Sequence, residues 1–108
     1  MSSIPEILEL RATIVNIEDE MATALIDHSN KDKQISAEIT NGAGDMFTLS
    51  GVSKLGSNWK ATIQKKFSDG NWYDVMVINS NQSLLTISDI GTFRVVKEAG
   101  IVCLVDRD

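Results

Sequence analysis

The sequence predicts a mainly β fold: a small antiparallel β-sandwich or barrel of about seven strands, preceded by an N-terminal α-helix. Three observations predict it. From residue 34 onward, apolar and polar residues alternate with the period of two that half-buried strands require. Clusters of Gly, Asn, Asp and Ser interrupt these runs roughly every 8–12 positions, as turns between short strands do. Before residue 28, apolar residues instead recur at helical spacing.

Length and composition limit the possible classes of protein. The 108 residues suit one domain with a short appendage, and 43% are hydrophobic, which is enough for a folded core. A polar stretch at 27–33 divides a predicted helix and linker (1–33) from the β domain (34–108). The net charge of −5 argues against nucleic-acid binding, because phosphate contacts require clustered Lys and Arg. No apolar run approaches the roughly 20 residues of a membrane span, so no membrane partner is expected.

Residues 2–27 are predicted to form the helix. A capping box begins at Ser3, with Pro5 in the first turn. Behind this start, apolar residues alternate between spacings of three and four, which is the seam of a coiled coil. The seam residues are Ile7, Leu10, Ile14, Ile17, Met21 and Ala24. A strand is the alternative for part of this segment, because apolar and polar residues also alternate over 8–14 and β-branched residues are frequent.

A β-hairpin between residues 59 and 78 is the strongest strand signal. Apolar residues alternate with polar ones from Trp59 to Phe67, interrupted only at Lys65, and Asp69-Gly70 then supplies a turn before a second apolar run. Trp59 and Phe67 share the apolar register, so both are predicted to lie in the core.

Shorter runs predict the remaining strands. They lie at 35–39, 47–49, 85–87, 93–95 and 101–105. The last run is apolar on both faces, which predicts a central strand or one covered by the helix or a partner. Its Cys103 is predicted to be a small buried side chain rather than a reactive thiol.

No residue pattern predicts catalysis. His28 is the only histidine and has no cysteine or second histidine near it, so neither a metal site nor a Ser–His–Asp triad is expected. The carboxylates form neither an acid–base pair nor the ladder of a calcium loop. We therefore predict no enzyme activity, no cofactor and no metal. Trp72 and Tyr73 point to opposite faces of their strand, so at least one is predicted to be exposed, as in a glycan-binding or adhesion module.

A set of residues in the β region resembles a known family. The set comprises Leu49-Ser50-Gly51, the run from Trp59 to Gln64, Phe67, Asp69-Gly70, Trp72, Asp74-Val75 and Gly91-Thr92-Phe93-Arg94, before a closing apolar strand. It resembles short β-sandwich proteins of tailed bacteriophage virions, in which a tyrosine is usual where Phe93 stands. The resemblance covers residues 35–106 and excludes the predicted helix. It implies a virion structural protein, such as a capsid decoration or a head- or tail-associated protein, with other virion proteins as partners.

The predicted helix independently indicates assembly. Isoleucine at both kinds of seam position favours three or more helices over two. A helix of about 25 residues is about 37 Å long, and a β domain of about 70 residues is too small to cover it. We expect a homo-oligomer, with a trimer favoured, or attachment to a larger scaffold. The interface residues would be Ile7, Leu10, Ile14, Ile17 and Met21. No signal peptide is visible, so synthesis in a host cytoplasm and a final place in the virion are expected.

Overall fold

The computed structural model describes residues 23–28, 31–54 and 58–108. This part of the chain contains nine β-strands and no helix, which confirms the mainly β fold class. The strands are β1 (Thr23–Ile26), β2 (Gln34–Ile35), β3 (Ile39–Asn41), β4 (Phe47–Val52), β5 (Lys60–Lys66), β6 (Trp72–Asn79), β7 (Leu84–Ile87), β8 (Gly91–Lys97) and β9 (Leu104–Arg107).

The strands form two antiparallel sheets. The first has the order β1-β9-β4-β7, and the second has the order β2-β8-β5-β6, with β3 also paired to β8. The predicted strand at 35–39 is divided into β2 and β3 at Ser36. The Ser36 N–H donates to the Val95 carbonyl over 2.9 Å, and its hydroxyl accepts from the Val95 N–H over 2.8 Å. Both backbone groups of Val95 are therefore satisfied where the ladder is interrupted.

The core lies between the sheets and uses alternate residues of most strands, as the period of two predicts. Phe47 of β4 and Phe93 of β8 meet edge to face, with ring centroids 5.9 Å apart. Trp59 is buried, as predicted, and so is Cys103, whose thiol pKa is raised by burial. The other core residues are Ile26, Ile39, Leu49, Ala61, Ile63, Ile78, Ile87, Val95 and Val105.

The central hairpin is confirmed as β5 and β6. Its turn is closed by two hydrogen bonds of 2.9 Å, from the Gly70 N–H to the Phe67 carbonyl and from the Phe67 N–H to the Asn71 carbonyl. Gly70 has φ of 83°, a conformation that costs glycine little and other residues more. The Asp69 carboxylate accepts from the Asn71 N–H over 2.9 Å, so Asp69 and Gly70 both serve the turn.

Phe67 is not a core residue, and this prediction is wrong. β5 ends at Lys66, so Phe67 lies at the start of the turn and is 45% exposed. Lys65 holds the last inward-facing position of β5, because it pairs with the buried Phe93 of β8. In the sequence, the alternation of apolar and polar residues therefore extends two residues beyond the last inward-facing position of β5.

The predicted helix is wrong for residues 23–26, which form β1 against β9. Thr23 pairs with Arg107 and Ala24 with Asp106, and Ile26 is buried in the core. Pairing with β9 and burial of Ile26 outweigh a helical pattern of modest propensity. His28 therefore follows a strand, and its Nε2 accepts from the Lys54 N–H over 3.3 Å.

Residues 2–22 of the predicted helix lie outside the described residues. The interface predicted there remains a prediction, and it comprises Ile7, Leu10, Ile14, Ile17 and Met21.

The last predicted strand is central, as expected, but it begins three residues later than predicted. β9 lies between β1 and β4. Residues 101–103 cross toward it without strand pairing, although Cys103 is fully buried. Lys97, at the end of β8, is also fully buried, and its ammonium donates to the Ile101 carbonyl over 2.7 Å. This charge-assisted bond ties β8 to the segment that leads into β9.

Candidate functional site

Four large apolar or aromatic side chains lie exposed on the central hairpin, along the edge of the second sheet. Phe67, Tyr73, Val75 and Val77 are between 39% and 46% exposed, and we call this group the hairpin surface. Phe67 and Tyr73 meet edge to face, with centroids 5.1 Å apart. By register Tyr73, opposite Lys65, and Val77, opposite Thr62, lie on different faces of the hairpin, so the group lines the strand edge from both faces. Single exposed apolar residues are ordinary, whereas several along one edge are typical of a contact region.

Tyr73 is held in place by the turn. Its hydroxyl donates to the Asp69 carboxylate over 2.6 Å, and Phe67 packs against its ring. The hydrogen bond from Tyr73, followed by that from the Asn71 N–H, lowers the pKa of Asp69. An aromatic ring that is oriented in this way loses little conformational entropy when it contacts a partner.

Lys65 joins the hairpin to the loop before β8. Its ammonium lies 2.7 Å from an Asp89 carboxylate oxygen and 5.7 Å and 5.8 Å from the ring centroids of Phe67 and Phe93. The hydrogen bond and charge of Lys65 lower the pKa of Asp89. The sequence showed Lys65 only as an interruption of an apolar register, so its role beside two rings was not predicted.

Trp72 lies on the opposite face of β6 from Tyr73, as predicted, since the two pair with adjacent residues of β5. Trp72 is half-buried, and the Arg94 guanidinium lies 4.2 Å from its ring centroid. Arg94 donates to Gln64 over 2.8 Å, and Gln64 donates to Asp74 over 2.9 Å. One face of the indole is therefore covered, which leaves Tyr73 as the more accessible of the two predicted ligand residues.

A β-bulge at Val75 shapes the edge. Met76 pairs with Ile63 and Asp74 with Gln64, so Val75 is an extra residue without a partner in β5. A bulge adds one residue to an otherwise regular alternation, and the apolar run that contains Val75 gave no signal of it.

Within 23–28, 31–54 and 58–108, no group of three or more His, Cys, Asp and Glu side chains is placed to hold a metal ion. Asp69 and Asp89 each accept hydrogen bonds from neighbouring groups. No helix in this part of the chain is long and apolar enough to span a membrane.

Comparison of the chain with protein-family models, with curated proteins and with solved structures gives no match. The resemblance to phage virion proteins therefore rests on the residues quoted above.

Proposed function

We propose that this protein is a non-enzymatic structural component of a tailed-bacteriophage virion, either a capsid decoration or a head- or tail-associated protein. In this proposal it assembles through its N-terminal segment and displays the β-sandwich. The hairpin surface carries the proposal, because Phe67, Tyr73, Val75 and Val77 stay exposed on a domain that already buries a core from both sheets. An exposed aromatic pair beside exposed valines along one strand edge is suited to contact with other proteins.

The residues that carry the resemblance serve the sandwich. Gly51 leaves room for the Trp59 ring, Asp69-Gly70 forms the hairpin turn, and Phe93 is buried between the sheets. These roles support the fold that the resemblance implies. Structural residues of this kind do not fix a function by themselves, so the assembly role needs its own support.

The N-terminal segment supplies that support. We propose that residues 2–22 form an amphipathic helix whose seam binds sister chains, with a trimer favoured. β1 is an edge strand of the first sheet and begins at the exposed Thr23. The segment is therefore joined to the sandwich at its surface, where it can reach a neighbour.

Introducing a charge into the seam tests this role. We expect Ile14→Asp to reduce the mass of the full chain from an oligomer to a monomer in sedimentation velocity at micromolar concentration. A carboxylate in the seam would have to be desolvated when the helices associate. Asn16→Asp is the matched control, because it adds the same charge outside the seam and should leave the oligomer intact.

Two results would count against the assembly role. One is a wild-type chain that is already monomeric under these conditions. The other is loss of the oligomer in both variants, which would show that added charge disrupts the segment wherever it is placed.

A glycan-binding module is the second candidate, and the environment of Tyr73 favours it. An exposed aromatic ring beside a carboxylate offers the stacking surface and the hydrogen-bond acceptor that sugars require. At the hairpin turn, Tyr73 provides the ring and Asp69 the carboxylate, and the Tyr73 hydroxyl lies 2.6 Å from the Asp69 Oδ2.

Glycan-array binding by the full chain tests this second candidate. If the protein binds, we expect Tyr73→Ala to abolish the signal, whereas Trp72→Ala should weaken it less because Arg94 covers one face of that ring. Circular dichroism confirms that both variants are folded. The absence of binding to any glycan by the wild-type chain would reject this candidate.

A further inference from the structure

We propose that the β6 edge is a homotypic interface, in which two copies of this chain pair antiparallel through β6 and join their second sheets into one. The inference extends the assembly role proposed above by naming a second contact between copies, and in that respect it rests on the proposed function.

The hydrogen bonds at the two ends of the hairpin determine which backbone groups of β6 face outward. At the turn, the Phe67 N–H donates to the Asn71 carbonyl, and at the other end the Ser80 N–H donates to the Trp59 carbonyl. Opposed residues in an antiparallel pair alternate between bonded and non-bonded pairs. Counting inward from both ends, with one extra residue at Val75, gives the same assignment along the strand.

By this count, the N–H and C=O groups of Trp72, Asp74, Val77 and Asn79 point away from β5. Asn79 exchanges two hydrogen bonds of 3.1 Å with Gln82, which covers that end of the edge. Among the described residues, no strand pairs with the side of β6 on which the groups of Trp72, Asp74 and Val77 lie. A strand can satisfy them in the same way that β5 satisfies the inner side.

β6 has few of the features that keep edge strands apart. Natural edges are short, charged or interrupted by proline, whereas β6 has eight residues, no proline and one charge. That charge, on Asp74, already accepts a hydrogen bond from Gln64 of β5. The bulge at Val75 is its one protective feature. The other edge strands in the described residues, β1, β2, β3 and β7, have four residues or fewer.

A second copy fits this edge without a clash of charge. In the two-fold register that places Asp74 opposite Val77 of the second copy, both residues present outward groups, and four hydrogen bonds form. Each strand has the same extra residue, Val75, between Asp74 and Val77. The two bulges therefore face each other across the two-fold axis, and the pairing stays in register on both sides of it. The two carboxylates do not meet, and each lies opposite an exposed valine.

Pairing over so short an edge buries less than the roughly 1,200 Å² of small specific interfaces. The pairing is therefore weak by itself, and it becomes effective when another contact already holds the copies together. The proposed contact of the N-terminal segments brings copies of this chain together, which favours a second copy over an unrelated chain as the occupant of the edge. Because a two-fold contact joins copies in pairs, β6 would pair two copies of one trimer or one copy from each of two trimers.

Cross-linking of single engineered cysteines in the full chain tests the interface. Val75 lies beside the two-fold axis, so Val75→Cys should be joined into covalent dimers by a short bis-maleimide reagent. Val52→Cys is the matched control, because Val52 is 53% exposed against 39% for Val75 but lies on the first sheet. Native Cys103 is fully buried and does not compete for the reagent.

We expect Val75→Cys to cross-link on the order of tenfold faster than Val52→Cys, because pairing holds the two thiols at high effective concentration. Equal rates, or faster reaction of the more exposed control, would overturn the β6 interface.

The companion variant Ile14→Asp separates this inference from the proposed function. If Val75→Cys does not exceed the control while the chain is oligomeric and Ile14→Asp is monomeric, the assembly role stands and the β6 interface is wrong. If Val75→Cys exceeds the control even in a chain that carries Ile14→Asp, the interface stands without the N-terminal contact. Circular dichroism of each variant confirms that the sandwich is folded.

Discussion

Replacing Gly51 by alanine should lower the free energy of unfolding by about 3 kcal/mol, since overpacking a core costs roughly this much. In an open strand the same change would be favourable by about 0.5–1 kcal/mol, because alanine restricts the unfolded chain. At Gly51 the new methyl group would lie 2.9 Å from Cζ2 and Cζ3 of Trp59 and would overlap its Cη2. The ring is buried between the sheets, so it has little room to move aside.

Urea denaturation of a double-mutant cycle checks this explanation. In a Trp59→Leu background the ring is absent, so the cost of Gly51→Ala should fall by about 2 kcal/mol, within the range of coupling energies for residues in contact. An equal cost of Gly51→Ala in both backgrounds would show that the loss of stability has another origin than the Trp59 ring.

Phe93→Ala should lower the free energy of unfolding by about 3–5 kcal/mol, whereas Phe67→Ala should cost less than about 1 kcal/mol. Phe93 is fully buried and meets Phe47 across the two sheets, so its truncation leaves a cavity in the centre of the core. Phe67 is 45% exposed at the turn and contacts mainly Tyr73 and Lys65. Chemical denaturation of both variants provides the measurement.

The two substitutions remove the same atoms, and both side chains lie in apolar registers of the sequence. A difference in their costs therefore reports the difference in burial. A cost of several kcal/mol for Phe67→Ala would place that ring in a core, as the alternating pattern suggested, and would contradict the exposed position described above. A small cost for Phe93→Ala would contradict the packing between the sheets.

Local patterns predicted the β fold and its central hairpin because the relevant signals lie within a few residues of one another. Alternation from Trp59 onward indicated a half-buried strand, and Asp69-Gly70 indicated a turn in which glycine adopts positive φ. Both features depend on short-range geometry, which a single sequence records well.

The remaining features depend on partners that are distant in the sequence. Ile26 lies in a strand because β9, some 80 residues away, pairs with its segment. Phe67 lies outside the core because β5 ends before it and the chain turns there. Lys97 is buried, and its ammonium donates a hydrogen bond to the Ile101 carbonyl. The bulge at Val75 adds one apolar residue to a run that is already apolar, so the residue types do not reveal it. Local hydrophobicity records none of these relations.

The mass of the unmodified full chain in sedimentation equilibrium at micromolar concentration tests the assembly role most directly. We expect a stable oligomer, with a trimer favoured by the isoleucine seam of the N-terminal segment. A single species with the monomer mass of 11.8 kDa across the concentration range would contradict it.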